Sequence, residues 1–115
     1  MKTPGGYRFT QEDRAAVIAA GKLQLENMDT FLSLEEMASS VLLHPKKLNE
    51  GFKLMHGMSS QEWVLEQKLQ RGLELLKTTD QTLLQIGLEI GYGSLSSFSK
   101  AFKKRFNVTP SSVRK

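Results

Sequence analysis

Residues 83–106 run Leu83-Leu84-Gln85-Ile86-Gly87-Leu88-Glu89-Ile90-Gly91-Tyr92-Gly93-Ser94-Leu95-Ser96-Ser97-Phe98-Ser99-Lys100-Ala101-Phe102-Lys103-Lys104-Arg105-Phe106. Leu83, Ile86, Gly87 and Ile90 recur at i, i+3, i+4 and i+7, the spacing of one buried helix face. Gly91-Tyr92-Gly93 breaks that stripe as a turn. Ser94 then has the hydroxyl that caps a new helix, whose Leu95, Phe98, Phe102 and Phe106 form the next apolar stripe. Asn107 tolerates the left-handed conformation that ends a helix, and Thr109-Pro110 opens a short final one. The stretch therefore predicts two short helices joined by a tight turn.

The same pattern occurs upstream, at an offset of about fifty residues. Leu34, Met37, Ala38 and Val41 fall on Leu83, Ile86, Gly87 and Ile90. After one extra residue in the later turn, His44 falls on Ser94, Leu48 on Phe98 and Phe52-Lys53 on Phe102-Lys103. Gly57 matches Asn107, and Ser59 matches Thr109. In each copy a small residue, Ala38 or Gly87, lets the second helix cross the first closely. Two helices at a steep angle joined by a short turn form a helix-turn-helix unit. The second helix of such a unit enters the DNA major groove.

Around these copies the remaining chain also reads as helix. Thr10 caps a first helix, with Glu12 and Asp13 in the turn where the dipole favours acids. Ala15, Val17, Ile18, Leu23 and Leu25 are its expected apolar residues. Ser33 with Glu36, and Ser59 with Glu62, have capping-box spacing. From Ser59 the apolar period of Leu65, Leu69, Gly72, Leu73 and Leu76 persists to Thr78. Such a helix is about 30 Å long, close to the roughly 34 Å turn of B-DNA. It could therefore space two reading helices by one turn. No stretch of alternating β-branched residues occurs. The expected fold is all-α, with about seven helices in two helix-turn-helix subdomains joined by a long linker helix. The expected divisions are a tail at 1–10, a first subdomain at 11–58, the linker helix at 59–79 and a second subdomain at 80–115.

Composition narrows the function. The 115 residues hold 16 Lys and Arg against 12 Asp and Glu, a net charge of +4. No acidic residue follows Glu89, whereas Lys100, Lys103, Lys104, Arg105, Arg114 and Lys115 do. This basic quarter is the footprint of a polyanion binder. The bland alternative is a solubilising helix face. There is no cysteine and only two histidines, which leaves neither a disulfide framework nor a closed zinc site. No cofactor is expected. No apolar run approaches the roughly 18 residues of a membrane span, and no apolar segment of a signal peptide follows Met1. Glycine-rich phosphate loops and nucleophile motifs are missing, so an enzyme is not expected.

Leu83–Tyr92, Ser94, Ser97–Phe106 and Val108-Thr109-Pro110-Ser111 together resemble the signature of AraC/XylS-type transcription regulators. Leu34–Ala38, Leu48, Phe52-Lys53, Gly57, Ser59, Trp63 and Leu69 fit the first half of the same domain, so the resemblance covers about residues 11–115. Leu42 stands where the family usually has Gly, His44 where Ser is usual, and Lys68 where Arg is commoner. Gly72 and Gly87 replace Ala, and Asn107 replaces Gly. The resemblance implies a bacterial, cytoplasmic, nucleoid-associated regulator that binds double-stranded DNA, with activation the more usual outcome. It allows contact with RNA polymerase, although no residue identifies it. It also implies an effector or dimerisation domain outside this chain, unless the chain is one of the small stand-alone members.

Reading helices contact bases near their N-termini and one turn on. The expected base contacts are Leu95, Ser96, Ser97 and Lys100 in the second copy, and Lys46, Lys47, Asn49 and Glu50 in the first. Lys100 suits guanine O6 or N7, Asn49 adenine, Glu50 cytosine N4, and Leu95 a thymine methyl. Leu95 could equally be core, and Glu50 could instead pair with Lys46 or Lys53. Lys53, Lys103, Lys104 and Arg105, later in their helices, are expected at phosphates. Ser59, Ser94 and Thr109 are caps at helix N-termini, where backbone N–H groups can also meet phosphate. The rival function is a helical protein-interaction module without DNA specificity.

Overall fold

A computed structural model describes residues 8–114. Most of the expected tail, residues 1–7, and the terminal Lys115 lie outside the described residues. All seven elements among the described residues are helices: α1 (Gln11–Leu25), α2 (Leu34–Ser40), α3 (Pro45–His56), α4 (Ser60–Thr78), α5 (Leu83–Glu89), α6 (Leu95–Phe106) and α7 (Pro110–Arg114). None is long and apolar enough to cross a membrane. The described residues form two compact units, residues 8–27 with Phe31–Leu65, and Met28–Thr30 with residues 66–114. The first turns of α4 belong to the first unit and its remainder to the second.

Side chains set where the helices begin. Thr10, Ser33, Ser59 and Thr82 each accept a bond from the backbone N–H three residues on. Asp13, Glu36, Glu62 and Gln85 return one to the cap's own N–H. These are full capping boxes, each satisfying two donors that the helix leaves orphaned. The bonds to Ser33 and Ser59 hold the Glu36 and Glu62 carboxyls below their ordinary range. Gly57 and Asn107 end α3 and α6 at φ +72° and +63°, as the composition of those stops requires.

The first unit closes on Phe9, Val17, Ala20, Met37, Ala38, Leu48, Phe52 and Val64. Its first helix packs through only part of its apolar residues. Ala15 is exposed, Ile18 is 54% exposed and Leu25 is 40% exposed. The buried face is Asp13, Val17, Ala20, Gly21 and Gln24. Small residues prevail there because neighbours approach closely: a Cβ on Gly21 would lie 2.9 Å from the Trp63 ring. The two polar members are satisfied. Asp13 meets Lys47 at 3.1 Å, while Gln24 takes the Leu32 N–H at 2.9 Å and donates to the Asn27 carbonyl at 3.0 Å. Of the apolar residues expected on α1, Val17 is therefore buried and Leu23 half-buried, and the rest of the packed face is small or polar.

The second unit closes on Leu69, Leu75, Leu76, Ile86, Ile90, Phe98 and Phe102. Each unit has its own tight turn, with matching bonds. Leu43 N–H donates to Ala38 O at 3.0 Å, and Tyr92 N–H to Gly87 O at 2.8 Å. Leu42 and Gly91 are the left-handed residues, at φ +55° and +100°. Gly93 is the extra residue of the second turn.

Leu42 is thus a bulky residue in a conformation that favours glycine, and its side chain is 93% exposed. Its left-handed backbone costs roughly 1–2 kcal/mol, and almost no packing offsets that. Leu42→Gly is expected to raise stability by about 0.5–1 kcal/mol after glycine's greater loss of chain entropy. A thermal melt should show the midpoint moving up by a few degrees. A lower midpoint would mean that the leucine side chain contributes packing.

Candidate nucleic-acid interface

The second helix of each pair has a buried and an open face. In α6, Phe98 and Phe102 are fully buried, and their rings meet edge to face at 5.8 Å, with the Phe106 ring 4.6 Å from that of Phe102. That anchorage turns Ser96, Lys100, Lys103 and Lys104 to solvent, all exposed. These residues fall at i, i+4, i+7 and i+8, which is one face. The three lysines form no ion pair among the described residues. Leu95, left open between core and contact, is 40% exposed and lies on the open side. Ser94 and Ser97 are largely engaged with each other. Ser94 Oγ accepts from Ser97 N–H at 3.1 Å, and Ser97 Oγ donates to Ser94 O at 3.0 Å.

Arg105 is held differently. Its Nε and Nη2 donate to the two Glu66 carboxylate oxygens at 2.5 and 2.8 Å, a bidentate fork. Gln70 donates to Glu66 as well, at 2.8 Å. The Arg105 bond holds the Glu66 carboxyl below its ordinary range, and the same bond raises the guanidinium. The side chain expected at a phosphate is therefore already neutralised by a carboxylate. Arg114, counted with the basic C-terminus, donates to the carbonyls of Leu75, Leu76, Thr79 and Gln81. It caps the C-terminal end of α4, where a cation is favoured.

The first unit keeps fewer of its expected base contacts open. Lys46 and Lys53 are exposed. Lys47 is half-buried against Asp13. Asn49 Oδ1 accepts the Ser60 N–H at 2.9 Å, so its acceptor serves the start of α4. Glu50 is only 9% exposed, with Oε2 lacking a protein partner, and forms no ion pair with Lys46 or Lys53 among the described residues. Gly51, beside it, approaches α1 so closely that a Cβ would lie 2.5 Å from Val17. This approach turns that side of α3 away from solvent. The helix begins on His44, whose Nδ1 accepts the Lys46 N–H at 3.1 Å, so an imidazole does the work that Ser94 does in α6. Ser59 and Thr109 act as caps, as the sequence suggested.

Sequence reasoning passed over Thr82 as a cap and Lys68 as a buried cation. Lys68 was detectable in principle, because it shares a helix face with Gly72 and Leu75. The Glu66–Arg105 fork spans 39 residues and leaves no local signature.

Comparison with known proteins places this arrangement. The family described as a helix-turn-helix domain matches residues 37–115. The HTH-type transcriptional regulator MtrA of Neisseria gonorrhoeae is 32% identical over 83 residues, 72% of this chain and 28% of that protein. The chain thus spans little more than a quarter of that regulator's length. A crystal structure of a transcriptional regulator from Chromobacterium violaceum, titled among AraC-type DNA-binding domain-containing proteins, superposes with a TM-score of 0.81 at 30% identity, covering 91% of this chain and 94% of that one. The DNA-binding domain of AdpA, solved with a target DNA, shares the fold at a TM-score of 0.77 and 20% identity, with 89% of each chain covered.

Proposed function

The chain belongs to the AraC/XylS family of helix-turn-helix proteins, and on that premise we propose that it is a sequence-specific regulator of transcription that binds double-stranded DNA through α3 and α6. The observation that carries this reading is the open face of α6, where Ser96, Lys100, Lys103 and Lys104 stand clear of the core that Phe98 and Phe102 fill. In this reading Lys100 and Ser96 meet base edges, with Leu95 against a thymine methyl. Lys103 and Lys104 neutralise phosphates. In α3, Lys46 contributes at the reading end and Lys53 at the backbone. Asn49 and Glu50 act on DNA only if binding releases them from their present positions. The chemistry needs no catalysis and no cofactor. Its setting is the bacterial cytoplasm, at the nucleoid, and regulation runs through contact with RNA polymerase, with activation the more usual outcome in this family.

Selection from a pool of random duplexes tests the proposal. Enrichment of a defined bipartite sequence is expected, and a pool that stays random would favour the protein-interaction alternative. On the enriched duplex, Lys100→Ala should cost about 1–3 kcal/mol and relax preference at one base pair. Lys103→Ala should weaken all sequences alike and lower the salt slope by about one. A change of base preference at Lys103 without a change of slope would reassign it.

Glu66 makes a sharper case. Glu66→Gln keeps the shape of the side chain and removes the charge that occupies Arg105. Affinity for a random duplex should rise, and the plot of log affinity against log salt should steepen by about one unit. Anisotropy titrations across a salt series measure both. An unchanged slope would mean that Arg105 does not face the phosphates even when released.

A further inference from the structure

Lys68 is fully buried within α4, on the face that carries Gly72 and Leu75. A buried ammonium costs free energy unless its donors are all met, and an ammonium has three donors and no acceptor. Here Nζ donates to the backbone carbonyls of Met28, Thr30 and Ile90, the last two at 2.6 and 3.0 Å. All three acceptors lie in the second unit, to which Met28–Thr30 belongs. Burial pulls the Lys68 pKa down to about 8, with the Asp29 charge opposing that shift.

The third carbonyl gives the arrangement its meaning. Ile90 is the C-cap of α5. From it the chain passes through left-handed Gly91 and Tyr92-Gly93 to Ser94, where α6 begins. A backbone group fixed at Ile90 fixes the origin of that turn. We propose that Lys68 is a positioning residue for DNA reading: by clasping Ile90 together with Met28 and Thr30, it sets where α6 starts and hence where Ser96 and Lys100 stand. This rests on the DNA reading above, and it gives a role to a residue that touches no DNA. Base readout tolerates little error in the placement of side chains, whereas attraction to phosphates tolerates much more. Loss of the clasp therefore reduces specificity more than it reduces binding.

The test uses the full chain with Lys68→Met, which keeps the length and apolar stem, and Lys68→Arg, which restores the donors. Affinity is measured for the enriched duplex and for a random one, well below the melting temperature. Hydrogen exchange is followed at the Gly91 and Tyr92 amides. Lys68→Met should lose about tenfold or more on the enriched duplex, the scale of one lost base contact, and stay within about twofold on the random one, where phosphates dominate. Exchange at Gly91 and Tyr92 should quicken. Lys68→Arg should recover both properties. A folded Lys68→Met that keeps its preference for the enriched duplex overturns the proposal, and so does equal loss on both duplexes. If the methionine variant does not fold, Lys68→Gln replaces it under the same criteria. If the wild-type chain enriches no duplex, the DNA reading itself has failed, and the exchange rates alone then decide whether the clasp exists.

Discussion

Phe98→Ala is expected to cost the second unit about 3–5 kcal/mol, the range for deleting a buried aromatic ring. Phe98 is fully buried, and two glycines face it. A Cβ on Gly72 would lie 3.3 Å from Phe98 Cε1, and one on Gly87 3.1 Å from its Cβ. Its ring also meets Tyr92 at 5.9 Å and Phe102 at 5.8 Å. Truncation would leave a hole whose walls at Gly72 and Gly87 have no side chain to move into it. Small domains have only about 5–15 kcal/mol of total stability, so the loss should melt α6 well before the first unit. Circular dichroism should show a first transition at reduced temperature, with a second near the wild-type one. Amide spectra would assign the early loss to residues 83–114. A penalty below about 1 kcal/mol would mean that the site collapses freely, against the close approach of those two glycines.

Phe98 was legible in the sequence for the reason that makes it costly to remove. It repeats with Phe102 and Phe106 at the helical period, and periodic apolar residues are where sequence reading is strongest. Local caps were legible too: Ser33, Ser59, Ser94 and Thr109 each bond a backbone N–H three residues on. Contacts between distant residues were not. Ile18 and Leu25 are apolar yet exposed, because α1 turns Gly21 to Trp63, where the small residue admits the indole. Asn49 reads as a free amide until its oxygen is found on Ser60, 11 residues away. Arg105 and Arg114 read as open cations until Glu66 and the end of α4 take them, and each partner lies more than 30 residues off. The net charge of the C-terminal quarter was therefore visible in the sequence, but its division into structural and free cations was not. Among the described residues of that quarter, Lys100, Lys103 and Lys104 are the cations that this division leaves exposed and outside any ion pair.

The largest effect on binding should come from the DNA rather than the protein. α4 is one unbroken helix of 19 residues, about 28 Å long. If α3 and α6 read successive major grooves, their half-sites lie about one turn apart, roughly 10–10.5 base pairs between centres. Inserting five base pairs between the enriched half-sites rotates one of them by about half a turn. Only one helix can then read its half-site. The base contacts of the other are lost, and at about 1–3 kcal/mol for each base pair affinity should fall by about a hundredfold or more. Inserting ten base pairs separates this mechanism from two modules on a flexible tether. That insertion restores the phase but adds about 34 Å of duplex, more than the whole length of α4. A flexible tether would recover binding at ten, whereas a helix cannot stretch, so both insertions should bind as weakly as a single half-site. Equal affinity for all three spacings would mean that one helix does all the reading, and the duplicated helix pair would then need another explanation.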